Sequence, residues 1–185
     1  CTGRTTLLAL LFGVSIVLNA CGSIDNSTPV AISTQPEPQS EIVKSPIDSR
    51  VYASIVLDNQ LEIMLVSDPS IKKSAAALSV AVGSLQESKE FGGLAHYLEH
   101  MLSLGSKSYP TAGDYTEFVG RNGGIQNAYT ALDHTNYMVA VSNNVYDGAL
   151  SRFSGFFYEA ILDERYADKE RNAVHSEWTM KGPND

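Results

Sequence analysis

From about residue 48 the spacing of apolar positions predicts strands and helices in mixed order. "VYASIVL" (51–57) and "LEIMLVS" (61–67) flank Asp58–Asn59 as two strands flank their turn. "ALSVAVGS" (77–84) sets Leu78, Val80 and Val82 two apart, the period of a third strand. The period then lengthens. Gly92 to Leu104 reads as a helix stopped by Gly105. "GDYTEFVG" (113–120) is a short helix with Tyr115, Phe118 and Val119 on one side. Residues 125–142, "IQNAYTALDHTNYMVAVS", give two strands around Leu132–Asp133. Leu150, Phe153, Phe157 and Ile161 recur at helical spacing, and Asp168 is placed to cap a last helix through Trp178 and beyond. There is no internal repeat and no regular βαβ alternation. The expected class is α+β, a mixed and mainly antiparallel sheet packed by helices.

The pattern before residue 48 is of another kind. Residues 7–18, "LLALLFGVSIVL", form a twelve-residue apolar run behind Arg4. That is short for a bilayer span and matches the apolar core of a secretory signal. "LNAC" follows, and a small residue before Cys21 at the end of such a run resembles a bacterial lipoprotein signal. The resemblance implies cleavage before Cys21 and lipid attachment to it. Residues 22–47, with "STQPEPQS" at their centre, are too polar and proline-rich to build a core and read as a tether. Three segments are expected: a signal at 1–20, a lipidated cysteine and tether at 21–47, and a folded domain at 48–185. Gly22 and Ser23 lack the aspartate of inner-membrane retention, so the anchor leans to the outer membrane of a bacterial envelope, facing the periplasm. The chain begins with Cys1 and stops at "KGPND", and is expected to be part of something longer.

Composition narrows the function. The apolar fraction of 43% is enough for a core. Thirteen basic against 21 acidic residues, net charge −8 and no dense basic run exclude the phosphate-neutralising surface of a nucleic-acid binder. Two cysteines, one inside the signal, leave no disulfide framework.

The chemistry concentrates in "GGLAHYLEHMLSLG" (92–105). Residues three and four apart share a helix face, so His96, Glu99 and His100 point the same way. Two imidazoles at i and i+4 can each offer a nitrogen to one zinc ion, and Glu99 lies near enough to take a proton from a water there. A catalytic zinc needs a third protein ligand and an open position, so one donor must come from elsewhere. On these five residues the other reading is a helix whose histidines are satisfied by hydrogen bonds. The order His-x-x-Glu-His is one of the known zinc-protease arrangements.

Downstream, "KERNAVHSEW" (169–178) carries Glu170 and Glu177 seven residues apart, on one helical face. Here the chain resembles the insulinase/pitrilysin family of zinc peptidases, whose third ligand is a glutamate seventy-seven positions beyond the second histidine. In this chain that position is Glu177, and the family's other glutamate, seven residues earlier, falls on Glu170. "SDPSIKKSAAALSVAVGS", "NAYTALDHTNY" and "GALSRFSGFF" carry the likeness over about residues 45–185. The resemblance implies one Zn2+ on His96, His100 and Glu177, with Glu99 as general base and Glu170 as a carboxylate that orients the site. It implies that Asn127 and Ala128 belong to an edge strand on which a peptide substrate lies, with Tyr129 lining an adjoining pocket. His134 and His175 are expected to be structural. It further implies an incomplete first domain of four, needing a C-terminal half to hold substrate, so that this segment alone cleaves poorly. The expected activity is zinc-dependent endopeptidase action on peptides. The alternatives are a non-catalytic binding or assembly subunit of the same fold and a structural envelope lipoprotein.

Overall fold

The structure, a computed structural model, describes residues 43–181. The apolar run at 7–18, Cys21 and the tether up to residue 42 lie outside the described residues. The chain divides into two compact units, one ending at Ser67 and one beginning at Asp68.

The first unit contains a hairpin of β1 (Val51–Val56) and β2 (Glu62–Ser67), antiparallel with Val51 opposite Ser67. Its turn is closed by Leu57 N–H on Leu61 O at 3.0 Å and by Leu61 N–H on the Asn59 carboxamide oxygen at 3.1 Å. Ahead of β1, Arg50 forks onto Asp48 at 2.8 Å through both Nε and Nη2, and Tyr52 Oη donates to the same carboxylate. These donors hold the Asp48 carboxyl far below the usual carboxylate range.

The second unit runs β3 (Lys73–Val80), α1 (Leu94–Leu102), α2 (Asp114–Arg121), β4 (Ile125–Thr130), β5 (Thr135–Ser142), α3 (Tyr146–Tyr158) and α4 (Ala167–Lys181). Its sheet has the order β3–β5–β4, antiparallel throughout. The class is therefore α+β with antiparallel sheet packed by helices. β5 is central, and its alternate side chains Thr135, Tyr137, Val139 and Val141 are all buried. Val139 and Val141, 2% and 0% exposed, each contribute about 1.5–3 kcal/mol by leaving water. They pack with Tyr115 and Val119 of α2 and Ala149, Phe153 and Phe156 of α3. Tyr115 and Phe156 meet edge to face at 4.9 Å, as ring quadrupoles favour.

Several sequence expectations shift here. β3 begins and ends earlier than "ALSVAVGS", because Val82 N–H turns back to Val80 O at 2.7 Å and Val82 leaves the sheet. The buried stripe of α3 is Ala149, Phe153 and Phe156, whereas Leu150 is 37% exposed and Ile161 lies beyond the helix. Asp168 does not cap α4. It sits within the first turn, and the capping aspartate is Asp163, which accepts from Arg165 N–H one 3-10 turn earlier. In α1, Leu94 and Leu98 are 54% and 43% exposed, while Met101 is buried and Leu102 packs on the core.

The connection from β3 to α1 fixes where α1 starts. Ser84 and Leu85 N–H donate to Ala131 and Leu132 O at 3.0 and 2.8 Å, pressing this segment onto the β4–β5 turn. Gly83 is required there, since a Cβ would stand 2.7 Å from the His134 nitrogen. Glu87 follows. Its carboxylate accepts from Gly93 N–H at 2.6 Å and Ala95 N–H at 2.7 Å, satisfying donors that a helix start leaves open.

Candidate metal centre

α1 and α4 meet through polar groups. Tyr97 Oη donates to Ala167 O at 3.2 Å, docking the first helix on the start of the second. The i and i+4 spacing places His96 and His100 together on the face of α1 toward α4. Their Nε2 atoms are 3.2 Å apart. Glu177 of α4 reaches both: Oε2 lies 3.4 Å from His96 Nε2, and Oε1 lies 3.7 Å from His100 Nε2. The three donors fall within 4.8 Å of one another.

These separations test whether an ion fits. Tetrahedral zinc with ligand bonds of about 2.0–2.1 Å sets its ligand atoms roughly 3.3 Å apart. His96 Nε2 stands 3.2 Å from His100 Nε2 and 3.4 Å from Glu177 Oε2, close to that spacing, while His100 Nε2 is 3.7 Å from the other carboxylate oxygen, Oε1. Two imidazoles and a carboxylate are also a donor set suited to zinc, with a fourth position left over. The side chains are 25%, 20% and 37% exposed, so the centre is reachable from solvent.

Glu170, seven residues before Glu177 and thus on the same side of α4, holds the far edge of His100. Its Oε2 is 3.2 Å from His100 Nδ1, and its side chain is only 12% exposed. With Nδ1–H donated to Glu170, the lone pair of His100 is on Nε2, aimed at the centre.

Glu99, one residue before His100 on α1, also reaches the sheet. Thr130 Oγ1 donates to Glu99 Oε2 at 2.6 Å. The carboxylate lies close enough to Tyr137 to reinforce the effect of burial on that phenol, which is pushed up to about 12.

Asn127, Ala128 and Tyr129 all lie on β4, an edge strand of the sheet. Ala131 N–H bonds to His134 O at 2.8 Å and Asn143 N–H to Lys72 O at 3.2 Å, which sets the phase of both ladders. Antiparallel pairing alternates, so Asn127 and Tyr129 spend their main-chain groups on β5, while Gln126, Ala128 and Thr130 turn theirs outward. The three thus divide: Ala128 presents backbone to the open edge, and Asn127 and Tyr129 project side chains from the sheet face away from the helices. On the opposite edge, Tyr146 Oη donates to Ala75 O at 3.2 Å, so β3 is partly covered.

His134 sits at the β4–β5 turn, apart from the three-donor cluster. Its Nδ1 is 2.7 Å from Asp133 Oδ1 and its Nε2 is 3.3 Å from Tyr129 Oη. The bond to His134 lowers the Asp133 carboxyl below its ordinary value. His175 stacks on Trp178, ring centroids 6.3 Å apart. Three residues that help build the site carried no sequence signal: Thr130, Glu87 and Tyr97. The hydroxyl and the cap act across loops, and only a strand-end threonine and a glutamate shortly before Gly92–Gly93 marked them.

A comparison with protein families matches residues 62–182 to "Insulinase (Peptidase family M16)". The chain is similar to the insulin-degrading enzyme of Mus musculus, 44% identical over 147 residues that cover 80% of this chain and 14% of that protein. It is similar to Protease 3 of Escherichia coli (strain K12), 46% identical over 142 residues, covering 77% of this chain and 15% of that one. Among solved structures, the crystal structure of pitrilysin superposes with a TM-score of 0.73 at 46% identity, over 77% of this chain and 15% of its own. A protease from Helicobacter pylori superposes with a TM-score of 0.65 at 29% identity, over 71% of this chain and 32% of its own. The chain spans about 15% of the length of the insulin-degrading enzyme and Protease 3.

Proposed function

The chain belongs to the insulinase family, peptidase family M16, and on that premise we propose that it carries the metal ligands and base of a zinc endopeptidase acting on peptides. The observation that supports this most is the convergence of His96, His100 and Glu177, whose donor atoms all lie within 4.8 Å of one another. Zinc bound there supplies a Lewis acid that makes a water easier to deprotonate and a carbonyl easier to attack.

The remaining work falls to this chain's own groups. Glu99 accepts the proton of the attacking water on a carboxylate oxygen and returns it to the leaving amine. Glu170 holds His100 in the tautomer whose Nε2 is free to ligate. The outward main-chain groups of Ala128, flanked by Gln126 and Thr130, receive an extended peptide as an added strand, which fixes the scissile bond without demanding a sequence. Asn127 and Tyr129 meet substrate side chains on the other face.

The same proposal covers the rest of the polypeptide. Residues 1–20 act as a secretory signal, Cys21 takes the lipid, and residues up to 47 tether the peptidase domain of 48–185 to a bacterial envelope membrane, the outer one by the residues after Cys21. Support comes from the apolar run at 7–18 and "LNAC". Among the described residues no helix is long and apolar enough to cross a membrane. Substrate holding requires a C-terminal half like that of the longer relatives, and the 48–185 segment alone cleaves poorly.

Metal analysis and peptide hydrolysis of the full-length protein test the reading together. About one zinc per chain is expected, with hydrolysis stopped by chelator and by Glu99→Gln. Full activity of the Glu99→Gln protein would remove the proposed base, and a zinc-free active protein would remove the metal.

A further inference from the structure

Thr130 occupies two positions at once. It is the last residue of β4, and its outward main-chain groups face the open edge. Its side chain points the other way from Tyr129, to the helix-covered face, where Oγ1 donates to Glu99 Oε2 at 2.6 Å. A hydroxyl proton can usually rotate among acceptors, but here its direction is set. The competing acceptor, Thr135 Oγ1, lies farther off at 3.4 Å, and its own hydrogen goes to Val82 O at 2.8 Å. A carboxylate only accepts, so the hydrogen of the 2.6 Å contact is the one on Thr130.

From this geometry, and resting on the peptidase reading, we infer that Thr130 is a positioning residue for Glu99, tying the base to the strand that receives the peptide. The terminal torsion of a glutamate is broad and two-fold, so a free carboxylate samples many orientations. One short bond to Oε2 removes that freedom and leaves Oε1 for proton transfer. Because the bond comes from β4 itself, base and docked substrate share one frame. A displacement of β4 then moves both together, preserving the reacting geometry on which rate depends steeply.

The test uses the full-length protein carrying Thr130→Val, which keeps the branched shape and loses the donor, and Thr130→Ser, which keeps the donor. Thr130→Val is expected to lower kcat roughly 10- to 100-fold with KM and zinc content unchanged, and Thr130→Ser to retain most of kcat. A crystal structure of the Thr130→Val protein is expected to show the Glu99 carboxylate rotated from its place. Undiminished kcat in Thr130→Val, equal loss in Thr130→Ser, or an unmoved Glu99 would each overturn the inference. Failure of the peptidase reading is separate: it shows in the wild-type protein as absent or chelator-insensitive hydrolysis, before either variant is assayed.

Discussion

The two helices that build the site are held in place by different physics. α1 is short and its position is set by contacts other than those of the metal donors. Glu87 caps its first turn, Met101 is buried, and Leu102 packs against the core. α4 is longer, with fifteen residues, yet no described side chain on it is fully buried, and Trp178 and Met180 are 70% and 68% exposed. It meets α1 through polar groups at the site: Tyr97 on Ala167, Glu170 on His100, and Glu177 on both imidazoles. The histidine half of the centre is thus preset by the core. The glutamate half depends on docking contacts that are themselves part of the centre. An ion held by all three donors is then a cross-link between α1 and α4, and its binding energy is docking energy for α4.

The most severe way to break this asymmetry is to remove the third donor. Glu177→Ala in the full-length protein is expected to take zinc from about one per chain to near none, read by elemental analysis, while α1 stays folded. Retention of a full equivalent of metal would place the third ligand elsewhere. Chelation of the wild-type protein comes next. Amide exchange across α4 is expected to speed up tenfold or more, while the core-facing amides of α1 change little, because only α4 lacks buried anchors. Equal change in both helices would remove the distinction.

Glu170→Gln sharpens the picture further. A neutral amide holds the His100 ring less firmly, and zinc affinity is expected to fall by about 10–100-fold with the fold intact, measured by competition with a chelating dye. Glu87→Ala acts only on the α1 side, costing about 1 kcal/mol of stability as a lost helix cap, read from thermal unfolding, with zinc stoichiometry unchanged. The smallest effect is expected from Tyr97→Phe, which deletes one long, part-buried bond at 3.2 Å, worth about 0.5 kcal/mol. Its loss is expected to appear in α4 exchange rather than in the melting of the core.

The same division decides how much was legible beforehand. Strands β1, β2, β4 and β5 and helices α1 and α2 follow the spacing of apolar positions, because one buried face leaves a period that survives in the sequence. α3 was visible as a helix, and Phe157 meets Tyr137 of the sheet, but its buried stripe also takes in Phe156, while Leu150 is 37% exposed and Ile161 lies beyond the helix. Aromatic spacing alone did not say which side the sheet would take. Asp168 and Asp163 exchanged capping roles because a 3-10 turn precedes α4, and such a turn has no distinctive pattern. The exposure of Leu94 and Leu98 shows the same limit, since an apolar side chain looks alike whether covered or open.

Of the site itself, the sequence determined the part that lies within one helical turn. His96, Glu99 and His100 are brought to one side of α1 by the 3.6-residue repeat, whatever the rest of the chain does. The seven-residue interval between Glu170 and Glu177 likewise places them on one side of α4. Family resemblance joins the two segments. Tertiary structure alone decided that Glu177 stands 3.4 and 3.7 Å from the imidazoles, that Glu170 takes His100 Nδ1, and that Thr130 takes Glu99. Those distances arise from how helices and strands pack, and packing is set by volumes and contacts summed over many residues, so no short stretch of sequence contains them.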